Sequence, residues 1–187
     1  VMPRYFRTAD DVFLSTVLAM GIAHEQEESL FRSTDGCTWN TVSGLTGVSI
    51  SYLAMDPSDA DHVLAASNFD SNNFVWVSSD AGLSWSKTAL EESAGSFRSL
   101  VWSPTDSQEV WASAATFDEP KSARIYRSLD GGVNWTTKNW TFTLDGELQV
   151  GVNVVAIPSS DGHGYVTLGA INHDYIFRTV DGGETFT

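Results

Sequence analysis

Hydrophobic positions along this chain fall into short runs that are separated by polar turns. The runs are rich in Val, Ile, Thr, Tyr, Phe and Trp, a composition typical of β-strands. No stretch keeps a 3.6-residue hydrophobic period for long enough to form a helix. The pattern therefore predicts an all-β chain.

The turns repeat as well as the strands. Four similar segments are "RSTDGCTW" (32–39), "VSSDAGLSW" (77–85), "RSLDGGVNW" (127–135) and "RTVDGGETF" (178–186). Their Asp residues are 45, 50 and 51 residues apart: Asp35, Asp80, Asp130 and Asp181. Three prolines that each end an apolar run keep a similar spacing: Pro57, Pro104 and Pro158. A period of this length indicates an array of supersecondary units.

Each unit is predicted to contain four strands, A to D. Strand A covers 50–55, 97–102 or 152–157, strand B covers 62–67, 109–115 or 164–170, and strand C covers 74–78, 124–128 or 175–179. The Asp turn follows, and strand D begins at its final aromatic residue. In the first unit, strands B and C are expected at 12–18 and 29–33, with strand A before Val1, and the last unit stops one residue into strand D.

Antiparallel four-stranded units of this length are the blades of a β-propeller. We predict a single partial propeller over 1–187, with about three and a half blades at approximately 1–44, 45–92, 93–145 and 146–187. We expect it to be part of a longer polypeptide. Its open ends would be covered by the rest of the propeller or by another subunit.

The repeated turn follows the pattern aromatic-x-[S/T]-x-D-x-G-x-x-[W/F]. It resembles the Asp-box, or BNR repeat, of sialidases, xyloglucanase-type glycoside hydrolases, sortilin-type receptors and the photosystem II assembly factor. The resemblance implies a folding element on the turn between strands C and D, away from the ligand face. The matching positions are Ser33, Asp35, Trp39, Ser78, Asp80, Gly82, Trp85, Ser128, Asp130, Gly132, Trp135, Thr179, Asp181, Gly183 and Phe186.

The chemistry of these residues favours a structural role. An Asp carboxylate can accept hydrogen bonds from the backbone of its own turn, Gly supplies a positive φ, and the aromatic ring can be buried between strands. The first copy is one residue shorter, with Cys37 near the position of the second Gly. We expect Cys37, the single cysteine of the chain, to be a half-buried structural residue.

Charge narrows the set of partners. The net charge is −14 and the isoelectric point is about 4.4, which argues against nucleic acid and against an anionic membrane surface. The most apolar run, 12–23, is too short to span a bilayer. The segment "HEQEE" (24–28) lacks the second His of a zinc-protease motif. No cofactor and no metal site are predicted.

The ligand face of a propeller is formed by the B–C and D–A loops. The predicted B–C loops are 19–29, 68–73, 116–123 and 171–174, and they concentrate Asn, Asp, Glu and His. The D–A loops add Glu91, Glu92, Asp145 and Glu147. Aromatic rings beside carboxylates and amides suit a glycan or a peptide. The predicted binding residues are Phe69, Asp70, Asn72, Phe117, Asp118, Asn172 and His173.

Two functions remain open at this point, and we favour the first. The first is a non-catalytic binding or scaffold propeller of an extracellular, cell-surface or periplasmic protein, with a protein or glycan ligand. The second is a fragment of a glycoside hydrolase, for which Asp70 and Asp118 would be the candidate catalytic carboxylates. The resemblance implies that a sialidase would carry an arginine cluster for the substrate carboxylate and an Arg-Ile-Pro segment. A sialidase is therefore the less favoured hydrolase, because only Arg124 lies close to a B–C loop and no Arg-Ile-Pro segment is present.

Overall fold

The chain is a partial β-propeller. The computed structural model describes residues 4–7, 12–16, 29–68, 72–116, 123–138, 151–155, 163–169 and 174–187. These residues form fifteen antiparallel strands in four sheets and include no helix that could cross a membrane. The prediction of an all-β partial propeller is confirmed.

Each sheet follows the chain order of its strands. The first blade contains β1 (Arg4–Arg7), β2 (Val12–Thr16), β3 (Ser29–Ser33) and β4 (Asn40–Thr41). The second contains β5 (Ile50–Met55), β6 (Val63–Ser67), β7 (Asn73–Ser78) and β8 (Ser86–Glu92). The third contains β9 (Gly95–Trp102), β10 (Val110–Thr116), β11 (Ala123–Ser128) and β12 (Thr136–Lys138). The fourth contains β13 (Gly151–Val155), β14 (Gly164–Gly169) and β15 (Asp174–Thr179).

The first strand corrects the sequence prediction. Strand A of the first blade was expected before Val1, but β1 occupies that place and pairs with β2 from Arg4 opposite Ser15 to Arg7 opposite Val12. The prediction identified an A–B turn by its proline, and the link between these two strands, "TADD", has none. The first blade is therefore four-stranded.

The end of the fourth blade agrees with the sequence prediction. Arg178 and Thr187 exchange two backbone hydrogen bonds of 2.9 Å each. In the third blade, Arg127 and Thr136 are paired at the corresponding position, where strand D begins. Thr187 is thus paired with Arg178 in the way that Thr136 is paired with Arg127.

The hydrophobic core lies between the blades. Every residue of β6 is buried, and successive side chains point to opposite faces of the sheet. Val63 and Ala65 pack in a cluster with Leu30 of the first blade, whereas Leu64 packs in a cluster with Val110 of the third. The second blade is therefore held to the first and to the third by apolar packing on both faces of its sheet.

Two kinds of loop lie at opposite edges of the blades. The A–B and C–D turns meet at one edge, where the backbone N–H of Ala81 donates to the carbonyl of Asp61 at 2.9 Å. At the other edge, Asn68 follows β6 and forms two hydrogen bonds with the backbone of Phe97 in β9. We call these the box edge and the loop edge.

Candidate functional site

The Asp carboxylates of the second, third and fourth box turns are occupied by their own turns. In the third blade, Asp130 Oδ1 accepts from the Ser128 hydroxyl at 2.8 Å and from the Asn134 backbone N–H at 2.8 Å, and Oδ2 accepts from the Asn134 amide at 2.7 Å. Asp80 and Asp181 accept corresponding bonds from their own turns. Carboxylates engaged in this way have no free oxygen directed at a ligand.

These hydrogen bonds also stabilise the charged form of the acids. The Ser84 hydroxyl and the Ser84 backbone N–H lower the pKa of Asp80 to about 2. Backbone N–H groups of Thr38 and Cys37 lower the pKa of Asp35 to about 2. Donors that favour an anion make it a poor proton donor at neutral pH. The acids of the box edge are thus unsuited to general acid catalysis.

The first box turn is tighter than the others, and it corrects the expectation for Cys37. The other turns contain two consecutive residues with positive φ, as in Gly131 and Gly132 at 71° and 89°, whereas the first has only Gly36 at 71°. Cys37 follows that glycine just as the exposed Val133 follows Gly132. The residue that the first turn lacks is one of the two positive-φ residues, so Cys37 takes the position of Val133. Cys37 is therefore exposed rather than half-buried.

The loop edge between the second and third blades carries a buried charge cluster. Glu92, at the end of β8, has an exposed fraction of 0%. Both of its carboxylate oxygens accept from Arg124 Nη1 at 2.9 Å, and Oε2 also accepts from the Tyr126 hydroxyl at 2.6 Å. The Ala94 backbone N–H donates to Oε1 at 3.0 Å. The acid of one blade thus fixes a cation and a phenol of the next.

The sequence places these partners by strand alternation. Arg124 and Tyr126 are two residues apart in β11, so their side chains lie on the same face of the sheet. That face is directed at the second blade, because Tyr126 packs in the cluster that contains Val75 and Leu90. The side chain of Arg124 lies nearer the loop edge and remains 32% exposed.

The cluster raises the pKa values of Arg124 and Tyr126. Burial and the bond to Glu92 raise the pKa of Tyr126 far above its usual value. Burial is the largest influence on Arg124 and acts to lower its pKa, but the charge of Glu92 and the interactions with Tyr126 and Glu92 together raise the pKa above its usual value. Arg124 is therefore a permanent cation, and Tyr126 is a neutral hydroxyl.

An unsatisfied amide lies beside this cluster. Asn73 pairs with Glu92 in the register of β7 and β8 and is 3% exposed. Its Nδ2 donates to the Gly95 carbonyl at 2.7 Å, whereas its Oδ1 is buried without a hydrogen-bond partner in the described part of the chain. A buried polar atom without a partner costs free energy, and this oxygen is closed off from the solvent.

A shallow depression of about 290 Å³ also lies at the box edge. It is lined by Arg127, Leu129, Asp130, Asn134, Trp135 and Thr136. Its charged groups are already paired, since Arg127 donates to Glu109 at 2.7 Å and Asp130 is held by Asn134. We therefore place the candidate site at the loop edge.

The family of the chain follows from its sequence. A family model described as Sortilin, neurotensin receptor 3 (Sortilin-Vps10) matches residues 28–143. The chain belongs to the Sortilin-Vps10 family. The match includes the second and third blades and therefore the whole Glu92 cluster.

Relatives of this Sortilin-Vps10 chain include a receptor and an enzyme. The VPS10 domain-containing receptor SorCS3 of Homo sapiens is 28% identical over 127 residues, which cover 66% of this chain and 10% of the receptor. A xyloglucanase of Paenibacillus sp is 30% identical over 155 residues, which cover 68% of this chain and 15% of the enzyme. The chain thus spans only a small part of the curated relatives that it matches.

Solved structures share the fold. The GH74 xyloglucanase of Xanthomonas campestris has a TM-score of 0.64 and 19% identity, and the match covers 96% of this chain and 29% of the enzyme. A Dyadobacter fermentans protein of unknown function has a TM-score of 0.56 and 17% identity, and the match covers 99% of this chain and 62% of that one. At these identities the likeness concerns the propeller fold alone.

The sequence-predicted binding residues are only partly described by the structure. Asn72 is exposed at the loop edge, next to Asn73. The remaining predicted binding residues lie outside the described residues: Phe69, Asp70, Phe117, Asp118, Asn172 and His173. The distance between the carboxylates of Asp70 and Asp118, on which the hydrolase hypothesis depends, stays a prediction.

Sequence reasoning missed the buried cluster. Glu92 was predicted on a polar loop, but β8 extends to include it and its side chain is fully buried. Tyr126 is the aromatic residue that opens the Asp-box pattern of the third blade, and no contact with an acid was predicted for it. A signal was present, because Arg124 and Tyr126 lie on the same face of a predicted strand, and an arginine on a face that packs against another blade requires an acid partner.

Proposed function

We propose that this chain is part of a non-catalytic binding propeller that presents its B–C and D–A loops to a protein or glycan ligand. The observation that carries the proposal is the loop edge between the second and third blades, where Glu92 holds Arg124 as a partly exposed cation. We further propose that the parent protein is extracellular, at the cell surface or periplasmic.

The groups at this edge suit a ligand rich in oxygen atoms. Both bonds from Arg124 to Glu92 use Nη1, and a guanidinium group has five N–H donors in all. The exposed part of the side chain can therefore donate to a peptide carboxylate or to sugar hydroxyls. Asn72 adds an exposed amide at the same edge.

Glu92 is poorly suited to catalysis. Glycoside hydrolysis generally requires two carboxyl groups about 5–10 Å apart on either side of the scissile bond. Both oxygens of Glu92 accept hydrogen bonds from within the protein, and its side chain is fully buried. It can position Arg124, but it cannot reach a glycosidic oxygen.

The family supports a receptor-like role. The family description names a neurotensin receptor, and the matched SorCS3 protein is a receptor. A propeller of this kind would recognise its partner through loops that differ from blade to blade. The acidic surface, with a net charge of −14, favours a basic partner over an acidic one.

The alternative is a fragment of a xyloglucanase-type glycoside hydrolase. It is favoured by the 30% identity to the Paenibacillus enzyme. In that case Asp70 and Asp118 would be the catalytic carboxylates on adjacent B–C loops. A binding propeller would release its ligand unchanged, whereas a hydrolase would cleave it.

Calorimetric titration of the full chain with neurotensin and with xyloglucan oligosaccharides tests the proposal. We expect one of the two to bind, and Arg124→Gln to weaken that binding about tenfold, since it removes a charge-assisted contact. Asn72→Ala, which alters an exposed residue, should weaken binding to a smaller extent without affecting folding. Arg178→Gln, with the same charge change on the fourth blade, is the matched control and should leave the affinity unchanged.

Two outcomes would overturn the proposal. One is release of reducing ends from xyloglucan that is abolished by Asp70→Asn or Asp118→Asn, which would make the chain part of a hydrolase. The other is an affinity that is the same in the wild-type chain, in Arg124→Gln and in Asn72→Ala. Circular dichroism of each variant ensures that a lost affinity reflects the ligand contact and not unfolding.

A further inference from the structure

The third box turn has an asparagine where the second and fourth turns have a hydroxyl residue. Asn134 occupies the position of Ser84 and of Thr185. In each turn this side chain donates one hydrogen bond to Oδ2 of the Asp, as Asn134 Nδ2 does to Asp130 at 2.7 Å. A hydroxyl has one hydrogen to donate, and an amide nitrogen has two. The turn therefore needs only one N–H of Asn134, and the second has no partner in the described part of the chain.

The same asparagine begins an acceptor sequence for N-linked glycans. Asn134, Trp135 and Thr136 form the pattern Asn-x-Ser/Thr, which directs an oligosaccharide to the asparagine amide in secreted proteins. Asn134 and Thr136 are both exposed. The second and fourth turns have no asparagine at this position. The acceptor is therefore a feature of the third blade and not of the repeat.

The shallow depression of the box edge adjoins this acceptor. Its lining of about 290 Å³ includes all three residues of the acceptor sequence, together with Arg127, Leu129 and Asp130. Leu129 is 58% exposed, and the Trp135 side chain is half-buried. A sugar ring placed there would cover apolar surface of both side chains. The volume is close to the lower limit for ligand sites, so the depression suits a single sugar ring and not an oligosaccharide.

We propose that Asn134 is an N-glycosylation site, and that the first sugar of its glycan, an N-acetylhexosamine, lies in the depression against Leu129 and Trp135. The surplus N–H, the acceptor sequence and the apolar depression all meet at this one side chain. The inference rests on the extracellular location proposed above for the parent protein, since the modifying enzyme acts in the secretory pathway.

The modification leaves the hydrogen bond of the turn in place. The donor is an oligosaccharide carried on a polyprenyl diphosphate. A bond forms between Asn134 Nδ2 and C1 of the first sugar, the bond from C1 to the diphosphate breaks, and the diphosphate keeps its electron pair. One proton passes from Nδ2 to a base of the transferase. One N–H remains on Nδ2 and can still donate to Asp130 Oδ2.

Peptide mapping of the secreted chain tests the site. The full chain is secreted from cultured animal cells behind a cleavable signal peptide, and its glycans are released by peptide-N-glycosidase in heavy-oxygen water. We expect labelled Asp in place of Asn134. Trypsin cleaves after Lys138 and so separates this residue from Asn139, which begins the second Asn-Trp-Thr sequence and lies outside the described residues.

Two variants control for the turn itself. Asn134→Thr copies the fourth turn, so it should abolish the modification at this position while circular dichroism shows an unchanged fold. Thr136→Ser preserves the acceptor sequence and the hydroxyl that donates to the Arg127 carbonyl, so it should keep the glycan.

Thiol reactivity tests whether the first sugar occupies the depression. In a Cys37→Ser background, Leu129→Cys reports the depression, and Val180→Cys is the matched control at the same position of the fourth turn, where the side chain is 55% exposed. An endoglycosidase trims the glycan to its first sugar. The thiol from Leu129→Cys should stay protected after trimming and should react several times faster when Asn134→Thr is added. The thiol from Val180→Cys should react equally fast in all three states.

An unmodified Asn134 in the secreted chain would overturn the inference. Because the signal peptide imposes secretion, this result would count against the site and not against the proposed location of the parent protein. Equal reactivity of the thiol from Leu129→Cys with one sugar attached and with none would overturn the placement of the sugar in the depression.

Discussion

The box edge and the loop edge of the blades are built on different principles. At the box edge, one set of hydrogen bonds recurs, with Ser or Thr and Asp holding each turn. At the loop edge, equivalent positions differ, since Arg124 corresponds to Phe74 in the second blade and Tyr175 in the fourth. The box edge repeats one structural element in every blade, whereas the loop edge differs from blade to blade, as the proposed ligand site there requires.

The junctions between blades also show why the box turn contains glycine. A positive φ alone would tolerate Asn or Asp at some cost. The second glycine is required for a further reason, since its Cα lies directly against the preceding blade. Gly183 has a positive φ and lies against Trp111, whereas Gly36 has a positive φ and no atom near its Cβ position. Comparing substitutions at these two glycines therefore separates the cost of backbone strain from the cost of overpacking.

The largest effect is expected from Gly183→Ala. Its φ is 85°, and the added Cβ would lie 2.0 Å from the Trp111 ring. Strain of about 1–2 kcal/mol and overpacking of about 1–3 kcal/mol should together lower the free energy of unfolding, as measured by urea denaturation. Gly36→Ala, which has the strain without the contact, is the control. Equal losses in the two variants would show that docking of the box turn does not contribute.

Breaking the Glu92 cluster should have the next largest effect. Glu92→Gln leaves Arg124 without its counter-charge, and removing one partner of a buried pair typically costs about 3–5 kcal/mol. We expect about 2–3 kcal/mol here, because Arg124 can reach water. The neighbouring Glu91→Gln, an exposed site, should change the urea midpoint little. A double variant, Glu92→Leu with Arg124→Met, should recover much of the loss if the cost arises from the unpaired charge.

A pH-dependent effect of smaller size is expected at the box edge. The pKa of Asp80 is about 2 in the folded chain and 3.8 in its unperturbed state. A depressed folded pKa stabilises the folded state above pH 4, and this contribution is lost as the pH falls from about 4 to about 2. The urea midpoint of Asp80→Asn should therefore fall less over this range than that of the wild-type chain. An NMR titration that gives Asp80 a pKa near 3.8 would contradict the hydrogen-bonded turn.

The smallest effect is expected at the first box turn. Cys37 is exposed, so its thiol should react completely with a disulfide reagent in the native state. Cys37→Ser should change the free energy of unfolding by less than about 0.5 kcal/mol, as is usual for surface positions. A slow reaction limited by unfolding would show that something covers this turn.

The sequence was sufficient for the fold because the fold is repetitive. Each strand B or C run was predicted within a residue or two, since alternation and turn residues are local signals that recur in every blade. The exception was β1, whose link to β2 carries no proline. A single short strand without the repeated signal could not be identified.

The candidate site was less predictable because it forms between blades. Glu92 and Arg124 are 32 residues apart, and neither belongs to a motif. Asn72 and Asn73 both fall in the predicted B–C loop 68–73, but only Asn72 was predicted as a binding residue, and the unpaired carbonyl of Asn73 was not foreseen. Hydrogen-bond satisfaction depends on the neighbouring blade, which the local pattern does not specify.

Taken by itself, the sequence determined the strands, the box turns and the propeller, because backbone conformation and side-chain alternation are local properties. The tertiary structure alone decided which residues are covered. Ile125 and Ile176 occupy equivalent positions in equivalent strands, yet one is buried and the other is 70% exposed. Burial is a property of the neighbouring blade, and only the assembled sheets show where a neighbour lies.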